Sequence, residues 1–375
     1  MFKSYKIKII PNKEQECLIF KHINCCRFIW NYMLELQNAR YKNQEKYIDS
    51  YKMIKLLPEI KMKNEWLKEV SNASLQNVCK DLHCTFVQFF QKTANYPKFK
   101  SKKRSKLSYP LRCDDVYFKS NDIIHIPKLG DVKYKTDFIF DFGKNIKITN
   151  PRLINHNNKW IVSFGMEYDN QVKPEKLTNN LMGIDLGIKE LMTVAYGNEK
   201  IVFRNINKDK KMRLLQKRIN FAQKILSRKY KTNKDIETKN ILKQKRKLNR
   251  LYAKQTNIRA NYIHQCTHKL ISLLPCRIIV ETLNIVSMLK NKYLSKFIQD
   301  AKFGEIIRQL KYKSEMKGIH FIQANRFFPS SKTCSCCGER KYDLKLSDRV
   351  FVCKKCGLVI DRDYNAALNL QKYEN

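Results

Sequence analysis

Acidic residues are scarce in this chain. Among 375 residues, 34 Asp and Glu stand against 75 Lys and Arg, a formal net charge of +41. Such an excess repels itself unless a polyanion neutralises it, and nucleic acid leads because every phosphate it offers releases a counterion on binding. Long apolar runs are missing too: no stretch reaches the roughly eighteen residues of a membrane-spanning helix. A basic membrane-surface protein is the rival class, but neither end shows a lipidation signal or a long basic amphipathic helix. Phe2 to Ile10 alternates Lys with apolar side chains, the mark of a strand and not of a signal peptide. A soluble, intracellular, cytoplasmic protein is expected, without repeats, low-complexity tracts or a long disordered tail. In a reducing compartment the thirteen cysteines do not imply a disulfide framework.

What is present is enough for a real core. Apolar residues make up 43% of the chain, and the length suggests about two to three domains. After the first strand, Pro11-Asn12 opens a helical stretch with Leu18, Ile23, Phe28, Ile29, Tyr32, Met33 and Leu36 on one face. A second helix, capped by Ser74 or Asn72, carries Leu75, Val78, Leu82, Phe86 and Phe89 at spacings of three and four. The run Tyr96 to Lys106 reads either as a solvated linker or, through Tyr96 and Phe99, as a base-stacking strip among phosphate-binding lysines.

From about 115 to 170 the period changes to two. Short strands are expected at Val116–Phe118, Ile123–Ile126, Phe138–Phe140 and Ile146–Ile148, with a turn at Asn157-Asn158 before Trp160, Val162 and Phe164. With the first strand they suggest a small β-barrel or sandwich. A polar linker, Lys173–Asn180, leads to a three-strand meander between Met182 and Phe203. Residues 208–254 are basic and helical, a nucleic-acid-facing hairpin or one with merely solvated lysines. A separate helix around 258–274, a strand at Arg277–Glu281, a helix at about 296–316 and a strand at Ile319–Gln323 follow. The last helix is placed at Asn365–Gln371.

Two knuckles, Cys334-Ser-Cys-Cys337 and Cys353-Lys-Lys-Cys356, match the geometry of a tetrahedral structural zinc site. Cys336 is an extra thiol, and Cys-x-x-Cys spacing favours Cys334 with Cys337. The other cysteines, such as Cys25, Cys26, Cys79 and Cys84, read as buried small hydrophobes. Asp185 lies in an apolar strand between two glycines, where a lone carboxylate needs a cation or hydrogen bonds. Glu281 ends another apolar strand, and Asp361 and Asp363 enter the last helix. Gly-Ile-Asp-Leu-Gly strands also serve nucleotide phosphate chemistry in sugar-kinase and actin-like folds. Three strand-end or helix-end carboxylates are what a divalent metal pair needs for phosphodiester hydrolysis, and Mg²⁺ favours such ligands.

Gly183-Ile-Asp-Leu-Gly-Ile-Lys189, Val280-Glu-Thr-Leu-Asn284, Asn325-Arg-Phe-Phe-Pro-Ser-Ser-Lys-Thr-Cys-Ser-Cys-Cys-Gly338 and Asp361-Arg-Asp-Tyr-Asn-Ala-Ala367 resemble the signature blocks of TnpB-type proteins. These are encoded by insertion sequences and related to compact type V CRISPR effectors. The resemblance implies a multidomain α+β chain. A wedge-like β-barrel (1–11 and 95–172) would be interrupted by a helical recognition domain (12–94). A RuvC-like nuclease domain of RNase H fold (181–330 and 359–375) would carry the basic helical insert 208–254 and a zinc-binding insert (331–358). It makes Asp185, Glu281 and Asp363 the catalytic Mg²⁺ ligands, with Asp361 as the alternative to Asp363. Cys334, Cys337, Cys353 and Cys356 become the ligands of a structural Zn²⁺. Relatives often carry His where this chain has Ile360. The activity implied is RNA-guided, Mg²⁺-dependent DNA cleavage at one site, with a transposon-derived guide RNA and double-stranded target DNA as partners. The alternatives are a DNA-binding accessory or regulatory protein of transposition without guided cleavage, and an unguided DNA-binding nuclease or resolvase.

Overall fold

Alternation at the start of the chain has its expected consequence. In β1 (Phe2–Ile10), Tyr5, Ile7 and Ile9 are buried while Lys6 and Lys8 are exposed. The computed structural model describes residues 2–102, 105–136, 147–157, 159–167, 176–233, 236–345 and 348–374. It divides into two units, Met1–Asn170 and Gln171–Asn375.

In the first unit β1 passes into α1 (Lys13–Lys42), α2 (Ser50–Lys63) and α3 (Asn72–Phe90). The Asn12 side chain accepts the Gln15 N–H at 2.8 Å, and Gln15 Oε1 accepts the Asn12 N–H at 3.0 Å, a complete capping box. The start of α3 departs from expectation. Its N-cap is Ser71, so Asn72 and Ser74 lie inside the helix. A tertiary contact fixes that start: the Ser71 N–H donates to Nε2 of the buried His22 at 3.1 Å.

Six further strands complete the unit: β2 (Ser108–Pro110), β3 (Tyr117–Phe118), β4 (Ile123–Ile126), β5 (Gly130–Lys135), β6 (Ile148–His156) and β7 (Lys159–Glu167). With β1 they form one antiparallel sheet in the order β2-β6-β7-β1-β5-β4-β3. Among the described residues no pairing joins β2 to β3, so the sheet is open where a barrel was expected. The strand expected at Phe138–Phe140 lies outside the described residues, as do Ile146, Asn158, Lys103, Arg104 and residues 173–175. Residues 96–100 are not a free linker. The Trp30 indole donates to Lys98 O at 3.1 Å, and Asn31 exchanges two bonds with the Lys100 backbone at 2.9 and 2.7 Å. Tyr96 packs edge-on against Phe86 and Phe89, whereas Phe99 is exposed.

The second unit opens with β8 (Thr178–Leu186), β9 (Glu190–Tyr196) and β10 (Glu199–Arg204). Residues 178–180, expected in a linker, already belong to β8. Gly197 makes the β9–β10 turn at φ +55°, a left-handed conformation that glycine adopts without penalty. Next come α4 (Lys210–Thr232) and α5 (Lys239–Ser272). The hairpin and the separate helix foreseen near 258–274 are therefore joined: α5 is one helix of 34 residues, about 51 Å long. Its first half packs with Met212, Leu215 and Ile219 of α4, and its second half enters the main core through Ile263, Leu270 and Ile271.

The chain continues through β11 (Pro275–Val280), α6 (Ile285–Leu289), α7 (Ser295–Ala301), α8 (Phe303–Lys317) and β12 (His320–Gln323). The single helix expected at 296–316 is split by Lys302, which sits at φ +55°. A small hairpin, β13 (Val350–Val352) and β14 (Val359–Asp361), runs directly into α9 (Arg362–Gln371). The main sheet has the order β10-β9-β8-β11-β12, with β8, β9 and β10 antiparallel and β8, β11 and β12 parallel. Cys25, Cys26 and Cys79 are buried as expected, but Cys84 is exposed.

Candidate functional site

Parallel pairing brings two of the singled-out carboxylates together. Ile184 of β8 is opposite Val280 of β11, so Asp185 and Glu281 follow side by side at neighbouring strand ends. A Glu281 carboxylate oxygen accepts the Leu186 N–H at 3.2 Å, which fixes the side chain across the β8 end. Period two sends Met182, Ile184 and Leu186 into the core and leaves Gly183 and Asp185 on the opposite face.

That opposite face is covered by α9. A Cβ on Gly183 would lie 2.0 Å from Ala367 O and 2.3 Å from Gln371 N, so only glycine permits the helix to lie so low on the strand. Gln371 donates to Leu181 O at 2.9 Å and to Gly197 O at 3.0 Å, anchoring the far end. The first turn of α9, with Asp363, is thereby brought near the strand ends. Asp361 does different work: it is the N-cap, accepts the Tyr364 N–H at 2.9 Å and pairs with Lys200 at 3.5 Å.

The electrostatics follow from this crowding. Burial, and then the charges of Glu281 and Asp363, hold the Asp185 carboxyl well above its ordinary range. Burial and Asp363 push Glu281 up to about 7, against the opposing Leu186 N–H bond. Carboxylates that resist ionisation side by side are relieved by a cation, so the donor set suits a hard divalent ion. Among the described residues, only the cysteine cluster gathers three or more possible ligand atoms within 4.8 Å. Asp185, Glu281 and Asp363 are not gathered as tightly as the thiols.

In that cluster Cys334, Cys337, Cys353 and Cys356 present their sulfurs within 4.8 Å of one another. Cys334 is 3.6 Å from Cys356 and Cys337 is 3.5 Å from Cys353. A tetrahedron with Zn–S bonds of about 2.3 Å has edges of about 3.8 Å, so these separations fit zinc. The knuckles are built alike: Gly338 at φ +75° and Gly357 at φ +72° follow the second cysteine of each. Their N–H groups return to Cys334 O at 3.0 Å and Cys353 O at 3.1 Å. Backbone N–H groups of Cys356 and Lys355 pull the Cys353 thiol down to about 6. Cys336 is exposed and outside the cluster. Phe351 and Leu344 are buried against the cysteines.

Sequence reasoning missed Lys200, Asn365 and Asn369. Both asparagines are buried in the helix that carries Asp363, Asn365 bonding to the backbone of Thr333 and Ser335 and Asn369 to that of Ser330 and Thr333, at and just before the first knuckle. Their spacing of four, which puts both on one face of the helix, was the available signal. The hairpin of α4 and α5 presents Lys217, Arg218, Arg246, Lys247 and Arg250 to solvent. No helix among the described residues is long and apolar enough to cross a membrane.

Carboxylates at parallel strand ends together with a four-thiol module of zinc dimensions define a class of mixed α/β proteins. Comparison with known proteins narrows this class. Residues 163–292 match the OrfB IS605 family, described as "Probable transposase", and residues 303–370 match "Cas12f1-like, TNB domain". Residues 1–46 match a model described as a helix-turn-helix domain, though here that span is β1 and the single helix α1. The chain is 30% identical over 389 residues to "Putative RNA-guided DNA endonuclease InsQ" of Escherichia coli K12, covering 98% of this chain and 91% of the relative. It is 28% identical over 373 residues to a "Putative RNA-guided DNA endonuclease" of Streptomyces pristinaespiralis, covering 98% and 88%. A Cas12f1-sgRNA-target DNA complex superposes with a TM-score of 0.38 at 16% identity over 99% of both chains, too loose a likeness to speak of chemistry. The chain belongs to the TnpB-type OrfB family of insertion sequences.

Proposed function

We propose that this protein is an RNA-guided DNA endonuclease that hydrolyses phosphodiesters at Asp185, Glu281 and Asp363. The observation that carries the reading is that Asp185 and Glu281 end neighbouring parallel strands with Asp363 of α9 near enough for its charge to act on both, so that burial and repulsion hold Asp185 and Glu281 against ionisation. Relatives that share nearly the whole chain bear that activity in their names.

The sheet order, an antiparallel meander followed by two strands parallel to its first, supports a RuvC-like domain of RNase H type at 181–330 and 359–375. The insert 331–358 holds structural zinc through Cys334, Cys337, Cys353 and Cys356. Residues 12–94 form the helical recognition domain, and 1–11 with 95–172 the wedge-like sheet around it. When bound, Mg²⁺ supplies an activated water and charge stabilisation for the attacking and leaving oxygens. The chain's own residues prepare for it. Leu186 N–H holds one oxygen of Glu281 in place, and Asp185, Glu281 and Asp363 in the first turn of α9 would hold the ion, Asp185 and Glu281 in their ionised forms. The surplus of basic side chains holds a transposon-derived guide RNA and the double-stranded target DNA, and base pairing supplies sequence specificity.

The test begins with sequencing the nucleic acid that copurifies when the protein is expressed with its native flanking DNA. One RNA species with a fixed scaffold running into element-flanking sequence is expected, and it defines the target for a cleavage assay. Asp185→Ala should retain RNA and DNA binding and lose cleavage. Heterogeneous RNA with no cleavage by the wild type would overturn the reading in favour of a DNA-binding transposition factor.

A further inference from the structure

The helix that carries Asp363 is held from two sides, and one of them is the thiol cluster. Asn365, Asn369 and Lys372 follow one another at spacings of four and three, which makes one stripe along the end of the chain's last helix. All three bond to the backbone of the first knuckle or of the residues leading into it. Asn365 is fully buried; its Oδ1 accepts the Ser335 N–H at 2.9 Å and its Nδ2 donates to Thr333 O at 2.7 Å. Asn369 donates to Ser330 O at 2.7 Å and to Thr333 O at 2.6 Å. Lys372 donates to Ser335 O at 2.6 Å.

Thr333 and Ser335 are the two neighbours of Cys334. A single buried amide therefore straddles a thiol ligand, bonded to the residue before it and the residue after it. Two positions along the helix from that amide is Asp363. A planar carboxamide with both a donor and an acceptor engaged tolerates little rotation, so the path of the backbone at Cys334 is transmitted to the first turn of α9. That turn is held from its other end by the Asp361 cap on Tyr364 and by Arg362, whose N–H donates to Arg349 O at 2.9 Å and whose guanidinium donates to Lys345 O at 3.1 Å, so Asn365 is the restraint that ties it to Cys334.

We propose that Asn365 is a positioning residue that couples the two cation sites: the closed thiol cluster sets the knuckle backbone, Asn365 reads it, and Asp363 is placed accordingly. The inference rests on the reading of Asp185, Glu281 and Asp363 as divalent-cation ligands. It predicts that the acid site weakens when the thiol site opens, and that Asn365 carries this dependence.

The experiment uses the full chain, wild type and Asn365→Ala, each zinc-loaded and zinc-stripped. It reads Mn²⁺ affinity by electron paramagnetic resonance, zinc content by colorimetric release, and the Mg²⁺ concentration for half-maximal cleavage. Asn365→Ala should keep its zinc yet bind Mn²⁺ about tenfold more weakly, the lower end of the range for outer partners of metal ligands. Stripping zinc should weaken Mn²⁺ binding in the wild type by a similar factor and add little in Asn365→Ala, the non-additivity of groups on one path. Full Mn²⁺ affinity in zinc-loaded Asn365→Ala, or losses that simply add, would overturn the coupling. If stripping unfolds the chain, the zinc-loaded arm decides alone. If Asn365→Ala does not fold, Asn369→Ala takes its place: a smaller loss of Mn²⁺ affinity with zinc retained supports the coupling, and no loss overturns it. An Asp185→Ala control that binds Mn²⁺ like the wild type would instead sink the reading of the acids.

Discussion

Glu281 has an ordinary value of 4.5 and is pushed up to about 7 in the fold. Between those values the folded chain binds more protons than the unfolded one, so stability falls as pH rises through the window. Full conversion of that shift amounts to about 3–4 kcal/mol. Urea midpoints of the metal-free protein should therefore drop between about pH 4.5 and 7, and Mg²⁺ should restore them at pH 7 and above by binding the folded state alone. Glu281→Gln should flatten the profile. A wild-type profile as flat as that of Glu281→Gln would contradict the assignment. Gly183 is the second residue on which the site depends. Gly183→Ala forces its new carbon against the backbone of Ala367 and Gln371, contacts that no side-chain rotation relieves. A loss of about 3 kcal/mol or more is expected from overpacking of this kind, with cleavage lost before folding is, and paired denaturation and cleavage measurements would show it. Both residues stood out in the sequence because a carboxylate and a glycine interrupt apolar strands. Asn365 did not, since its partners are backbone atoms of a loop thirty residues upstream.

Elements whose burial alternates along the chain were legible, and β1 and β7 lie where the period of two puts them, while the β8–β10 meander was legible as short apolar runs broken by glycine. β5 was missed because only Val132 and Tyr134 mark its inner face among Asp131, Lys133 and Lys135. The length of α5 was hidden because one helix serves two separate cores, and its residues change partners without any breaking residue between. The split at Lys302 was hidden because a lysine, not a glycine, adopts the left-handed conformation there. In the thiol module the spacing alone named the four cysteines, and the structure separates Cys336 from them. Cys336→Ser should keep one zinc per chain, while Cys353→Ser should lose it and melt earlier, because the binding energy of a structural zinc is folding energy. Zinc release on thiol titration distinguishes the two, and equal zinc content in both would refute the ligand set.

At the scale of the whole molecule, +41 charges on 375 residues make the affinity for nucleic acid a function of salt. Each phosphate contact contributes about 0.9 to the slope of log affinity against log salt for duplex DNA and about 0.7 for single strands. Replacing Lys217, Arg218, Arg246 and Arg250 by Gln should reduce that slope by up to about 3 without changing the fold, since all four side chains are exposed. An unchanged slope would free the α4–α5 hairpin of any part in binding. The seating of α9 on β8 has a consequence in time. Gln371 reaches back 190 residues to the carbonyl of Leu181. At about 5–20 residues per second, a ribosome takes roughly 10–40 s to travel that distance. For most of this interval the strand bearing Asp185 has its neighbour β9 but not the helix that brings Asp363. A nascent chain can thus already meet RNA through its earlier basic segments while its blade is still unforged.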